Sequence, residues 1–210
     1  ERMGPTYVKF GQAIASRSDI IPSSLASQLA NLQDDMQPFD DTLAKHIVRV
    51  ELERSSLSSE DIALIMDSMT SQVVAAASIG QVYKAHLPGR GPVAIKVQRP
   101  GIQEIVEADS HLLRSIAEAI EKLPSPSRSS SRRLVATKLV ASVDEFMTRM
   151  FEELDYENEA ANMAKFAALF SKSHGSINTV NIVVPKVHAD VCSKKIVVME
   201  WVEGTKLVDM

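Results

Sequence analysis

The sequence predicts an α+β fold: a small antiparallel sheet carrying a long helix, preceded by a helical extension. Three observations predict it. Apolar residues in the first third recur every three or four positions, the period of a helix with one buried face. Between Val73 and Gln98 the texture changes to small and β-branched residues, interrupted by one Pro/Gly turn, which is the pattern of a hairpin. The helical period then returns over residues 134–170, a length that reads as one long helix broken once.

The elements follow in order. Thr6 is the expected N-cap of a first helix behind Gly4-Pro5, running through Tyr7-Val8-Lys9-Phe10-Gly11-Gln12-Ala13-Ile14. Pro22 stands near the start of a second, where Leu25, Leu29 and Leu32 share a face. A third apolar pattern, Leu43, Ile47, Val50 and Leu52, follows Phe39-Asp40-Asp41. A short fourth, Ile62-Ala63-Leu64-Ile65-Met66, follows Ser58-Ser59-Glu60-Asp61. Strands are expected over 73–86 and 92–98, joined by Leu87-Pro88-Gly89-Arg90-Gly91. Residues 103–123 are helical in period, with Ile105, Leu112, Leu113, Ile116 and Ile120 largely on one side. Residues 124–133 are Ser, Pro and Arg, the composition of a solvated linker. Strand-like runs at 182–184 and 196–199 close the chain, joined through Pro185 and a turn at 190–194. The expected division is a helical extension over 1–70 and a sheet-bearing domain over 71–210, with a helical insertion at about 101–133.

Of the 210 residues, 45% are hydrophobic and only 5% aromatic, so the core is packed mainly by aliphatic side chains. A net charge of -4 with dispersed Lys and Arg argues against nucleic acid as a partner, because duplex binding needs a basic surface. The single cysteine, Cys192, excludes an internal disulfide framework and fits a reducing compartment. It sits in a turn with no base beside it, so it reads as structural rather than nucleophilic. No stretch reaches the ~18 apolar residues of a membrane span. No signal peptide opens the chain, and the missing initiator Met points to a fragment with any targeting segment upstream.

Chemistry concentrates in four places. The run Ala75-Ala76-Ala77-Ser78-Ile79-Gly80-Gln81-Val82 has the shape of the strand-turn-strand lid G-x-G-x-x-G-x-V that covers ATP phosphates in protein kinases, with alanines where the first two glycines stand. One turn later, Val93-Ala94-Ile95-Lys96 is the V-A-I-K strand, which delivers an ammonium to the α- and β-phosphates beside apolar neighbours that seal the base. A carboxylate must hold that lysine. The acidic helix run Glu152-Glu153-Leu154-Asp155-Tyr156-Glu157-Asn158-Glu159 supplies it, with Asp155 and Glu159 on one face. Like charges at that spacing cost a helix about 0.2–0.5 kcal/mol, so the stripe calls for cations or a metal opposite, with Lys96 and Lys9 as candidates. Finally, Ile196-Val197-Val198-Met199 runs into Glu200-Trp201-Val202, where a kinase hinge offers backbone groups to adenine.

With these pieces in order, the chain resembles the UbiB family of atypical kinase-like proteins. Lys9-Phe10-Gly11-Gln12 matches its K-x-G-Q motif, Ala75, Ala76, Ala77 and Ser78 its Ala-rich loop, Lys96 its nucleotide lysine, Glu153-Leu154-Asp155 its E-x-D motif, and Glu159 the lysine's helix partner. The resemblance implies a kinase-like N-lobe that binds ATP or ADP with Mg2+ through Ala75, Ala76, Ala77, Ser78, Val82, Ala94, Lys96, Met199, Glu200 and Val202. It implies Lys96 and Glu159 as the catalytic pair. Lys9, Gly11, Gln12, Glu153 and Asp155 are implied as a gate, with Lys9 and Gln12 facing the E-x-D carboxylates. It further implies work in quinone or isoprenoid-lipid metabolism, in a plastid or mitochondrion, with lipid or quinone-pathway proteins at a membrane surface as partners. No H-R-D-like or D-F-G sequence follows the hinge, so the second lobe is expected to be absent and these residues alone are not expected to transfer a phosphoryl group. The alternatives are a non-catalytic nucleotide- or lipid-binding regulatory module, and an ordinary protein kinase, which the Ala-rich lid and K-x-G-Q disfavour.

Overall fold

The structure, a computed structural model, describes residues 4–15, 37–122, 139–171 and 183–204. The expected second helix with Leu25, Leu29 and Leu32 and the linker at 124–133 lie outside the described residues. The chain forms two compact units, one of residues 1–36 with 100–154 and one of 37–99 with 155–210.

The first unit is helical. Helix α1 (Pro5–Ala15) starts at proline, whose fixed φ and missing N–H suit the first helical position. Thr6 is therefore not the N-cap: it lies in the first turn, fully buried.

The second unit begins with two capped helices. Asp40 accepts the Leu43 N–H at 2.8 Å to open α2 (Asp41–Glu53). Ser58 accepts the Asp61 N–H at 3.0 Å to open α3 (Ser59–Ser68). Next come β1 (Ala75–Ala76), β2 (Gly80–Leu87) and β3 (Gly91–Gln98). The strand expected over 73–86 is thus two strands, interrupted by a turn in which the Ala77 N–H reaches the Gly80 carbonyl at 2.7 Å. Gly89 (φ 70°) and Gly91 (φ 92°) supply the left-handed backbone of the β2–β3 turn.

The chain then crosses into the first unit. Helix α4 (Ile102–Lys122) buries Ile102, Val106, Leu113 and Ala117. Ile105, Leu112, Ile116 and Ile120, expected largely on one side with Leu113, are exposed by 41–51%, while Leu113 is buried. The helix carries two apolar stripes, and periodicity alone does not say which one faces inward. Helix α5 (Leu139–Leu154) packs against α4 and buries Val143, Met147, Met150 and Leu154. An Arg114–Asp144 ion pair and a 5.0 Å edge contact of Phe10 with Phe146 join the three helices.

The helical run breaks at Asp155, and α6 (Tyr156–Ser171) restarts it in the second unit. The Asp155 carboxylate accepts the Glu157 N–H at 3.1 Å, which caps the new helix. A 3-10 turn (Ala189–Val191) and β4 (Ile196–Glu200) complete that unit. The expected strand at 182–184 is not formed at Val183 and Val184, and Ile182 is outside the described residues. Pro185 offers no N–H to a ladder. Pairing therefore starts beyond it, with Lys186 and His188 bonded to Glu200 and Val198 and a bridge from Val187 to Met199. Among the described residues no helix is long and apolar enough to cross a membrane.

The sheet is antiparallel in the order β1-β2-β3-β4. On one face Tyr83, Leu87, Ile95 and Val198 close the core against Val48 and Leu52 of α2 and Ile65 of α3. These helices share the sheet's core, so the compact units do not follow a linear cut at residue 70. Gln81 is fully buried on this face, where its amide accepts the Phe39 N–H at 3.0 Å and donates to the Phe39 carbonyl at 3.2 Å and to the Tyr83 hydroxyl. Tyr83 donates to Asp41 at 2.6 Å, and burial followed by that bond raises its phenol well above the ordinary range.

Gly80 has no room for a side chain. A Cβ there would stand 2.4 Å from the Tyr156 hydroxyl and 2.6 Å from the Val97 carbonyl oxygen. Gly80→Ala is expected to cost about 1–3 kcal/mol in urea unfolding, as overpacking does, and an unchanged midpoint would contradict this packing.

His188 is 6% exposed beside Arg90, which forks onto Asp190 at 2.7 and 2.5 Å. Burial, then Arg90 and Lys186, lower its pKa from 6.5, with Asp190 and Glu200 opposing. The fold favours the neutral ring, so this stability is present above that value and is lost as pH falls below it. Between about pH 7.5 and about pH 5.5, wild type should lose more unfolding free energy than His188→Asn; equal losses would remove His188 from the acid response.

Candidate functional site

Successive residues of β3 point to opposite faces. With Ile95 and Val97 in the core, Ala94 and Lys96 stand on the other face. The register sets Val82 and Val197 beside Lys96, and Lys84 and Met199 beside Ala94. Four residues expected to meet a nucleotide, Val82, Ala94, Lys96 and Met199, thus share one surface.

Helix α6 supplies what faces it. Lys96 donates to both Glu159 oxygens, at 2.8 and 2.6 Å. The two side chains are 20% and 31% exposed, so the pair is shielded more than a surface ion pair. One helical turn before Glu159, the ring of the fully buried Tyr156 lies 4.6 Å from the same ammonium. Sequence reasoning missed Tyr156. Its signal was the aromatic three positions ahead of Glu159, on the same helix face.

Ala75 and Ala76 form β1, Ala77 is exposed, and Ser78 is buried in the turn. No residue from 75 to 80 has positive φ, so alanines fit where a glycine loop stands in other kinases. Arg99, also missed, holds this turn. Its backbone N–H donates to the Ile79 carbonyl at 2.8 Å and its Nε to the Ser78 carbonyl at 3.3 Å. The same guanidinium reaches the Gln37 carbonyl at 2.9 Å and lies over the Phe39 ring, and burial lowers its pKa.

At the far end of the surface, Glu200 is turned toward Lys186, whose N–H its carboxylate accepts at 3.3 Å. The Trp201 N–H donates to the Pro92 carbonyl at 3.1 Å, and Val202 is exposed.

The residues expected to form a gate divide between the units. In the first, Lys9 pairs with Glu153 at 2.6 Å and Gly11 is buried, but among the described residues no hydrogen bond joins Gln12 to Glu153. Asp155 belongs to the second unit, caps α6 and stands 4.0 Å from Lys194. Glu153 and Asp155 fall on either side of the helix break, which sends their carboxylates to different partners. Burial pushes the Cys192 thiol up, the opposite of what a nucleophile needs. Among the described residues no group of three or more His, Cys, Asp or Glu could hold a metal.

Comparisons place this geometry in a family. The model for the ABC1 atypical kinase-like domain matches residues 31–210. The chloroplastic protein ACTIVITY OF BC1 COMPLEX KINASE 3 of Arabidopsis thaliana is 38% identical, with 98% of this chain and 26% of the relative covered. An uncharacterized chloroplastic aarF domain-containing protein kinase of the same plant is 40% identical over 98% of this chain and 27% of its own length. The chain therefore spans about a quarter of the length of these curated relatives. The solved structure of an Rv3197–erythromycin complex from Mycobacterium tuberculosis matches with a TM-score of 0.57 at 27% identity, covering 95% of this chain and 45% of that one. The four-stranded antiparallel sheet with its helices is thus a kinase-like fold, and the chain belongs to the ABC1 atypical kinase-like family, the UbiB family that its motifs resemble.

Proposed function

We propose that the chain binds an adenine nucleotide, ATP or ADP, as part of a kinase-like ATPase that supports quinone or isoprenoid-lipid metabolism. The observation that carries this reading is the ammonium of Lys96, held by both oxygens of Glu159 on the sheet face that also presents Val82, Ala94 and Met199. Ala94 adds only a methyl, which leaves room for a flat base above β3. Lys96, two residues along, lies about 6.7 Å further down the strand, where α- and β-phosphates would extend. Glu159 keeps the ammonium from folding away, and Tyr156 fixes its other side.

The turn of Ala75, Ala76, Ala77 and Ser78 would lie over the phosphates. Mg2+ arriving with the nucleotide would neutralise β- and γ-phosphate charge. Glu200 and Val202 would offer backbone groups to the base. Lys9, Gly11, Gln12, Glu153 and Asp155 would gate turnover rather than bind nucleotide. The names of the relatives support a plastid setting, and the one naming the BC1 complex supports the quinone reading.

Nucleotide binding stabilises a protein by RT ln(1 + [L]/Kd), about 2.7 kcal/mol at a hundred times Kd. In the complete protein, Lys96→Ala should abolish most of the thermal shift produced by ATP with Mg2+. Lys9→Ala should keep that shift and alter the rate of ATP turnover. Equal nucleotide shifts in wild type and Lys96→Ala would overturn the assignment of the lysine.

A further inference from the structure

One cluster on the nucleotide face plays no part in holding phosphate. Lys84 leaves β2 beside Ala94, on the same face as Lys96. Its ammonium lies 2.9 Å from Glu203 Oε1 and 4.7 Å from the centre of the Trp201 ring. The Trp201 indole N–H donates to the same Glu203 oxygen at 2.6 Å. The three side chains close a ring of contacts between β2 and the segment after β4. That ring bridges β2 and β4 across β3, a span of about 9.5 Å, toward the sheet end where Trp201 bonds Pro92.

An exposed ion pair alone fixes little, and Glu203 is 78% exposed. Here one carboxylate oxygen takes both the ammonium and the indole N–H, and the ammonium also stacks on the ring. Lys84 first, then Trp201, hold the Glu203 carboxyl below its ordinary range. Between Glu200 and Glu203 the backbone has the Trp201–Pro92 bond as its link to the sheet, while Val202 is exposed. The side-chain ring therefore adds a second tether to the hinge backbone, at Glu203, beyond the Trp201–Pro92 bond.

We propose that Lys84, Trp201 and Glu203 form a clasp that positions the hinge backbone and so sets the preference for an adenine base. This rests on the nucleotide reading above. The clasp residues are positioning residues, acting on the base through the segment they hold.

The test uses the complete protein and its dissociation constants for ATP and GTP by calorimetric titration, with melting temperature measured without nucleotide. The variants are Lys84→Met, Glu203→Gln and the conservative Lys84→Arg; Lys96→Ala is the control for the phosphate site. Lys84→Met and Glu203→Gln should each weaken ATP binding about three-fold or more and shrink the ATP-over-GTP ratio, with an unchanged melting temperature, while Lys84→Arg, which keeps a cation for the Glu203 oxygen and the Trp201 ring, should retain both. Wild-type ATP affinity and base preference in both Lys84→Met and Glu203→Gln would overturn the clasp while leaving the nucleotide site intact. Melting temperature falling in step with affinity, or Lys84→Arg losing as much as Lys84→Met, would make the cluster merely structural and overturn it too. If wild type binds neither nucleotide, the site reading falls and takes the clasp with it.

Discussion

A one-residue slip of β3 would push the Lys96 ammonium in among Tyr83, Leu87 and Val48 and turn Ile95 outward. Because the side-chain period of a strand is two, such a slip exchanges the two faces completely. The core forbids it. Val93, Ile95 and Val97 are all fully buried, and each would have to leave an apolar environment. The hydrophobic cost of exposing them holds a charged group on the opposite face at a fixed place. Everything that meets that face, from Glu159 and Tyr156 to the clasp at Trp201, is positioned against a strand locked by its other side.

The turn between β1 and β2 is held by comparable means. Arg99 draws the Ser78 and Ile79 carbonyls onto the end of β3 and ties the same corner to Gln37. Gln81 fastens Phe39 from the core side. Gly80 lets Tyr156 and the Val97 carbonyl close over the start of β2. The position of the turn therefore depends on backbone-directed bonds from side chains outside it, which is why its own residues can be as featureless as alanine.

Much of this was legible in the sequence. The hairpin, the V-A-I-K strand and the broken helix follow from period, turn residues and motif; the acidic run offered both Asp155 and Glu159, and the structure pairs Glu159 with Lys96 while Asp155 stands by Lys194. What was not legible shares a physical cause. Thr6 looked like a cap because hydroxyls cap helices, but Pro5 competes for the same turn. The stripe of Ile105, Leu112, Ile116 and Ile120 has a helical period as sound as the stripe that is buried, and only the packing against α5 distinguishes them. Residues 182–184 are β-branched, yet a ladder needs N–H donors, and Pro185 withholds one. Arg99 acts through contacts with residues far away in sequence, which no local pattern encodes, and Tyr156 was marked only by its place one turn ahead of Glu159. The E-x-D motif reads as one unit, but a helix break falls inside it.

The sheet also leaves little of itself open at either margin. β1 is two residues long, and beyond it the outer side of β2 is covered by Thr70, whose N–H donates to the Lys84 carbonyl, and by Ser68, whose hydroxyl accepts the His86 N–H. At the other margin Lys186 and His188 bond the outer side of β4. A strand from another molecule would find these backbone groups already taken. Among the described residues the sheet's own chain thus occupies much of its outer backbone, which works against edge-to-edge association.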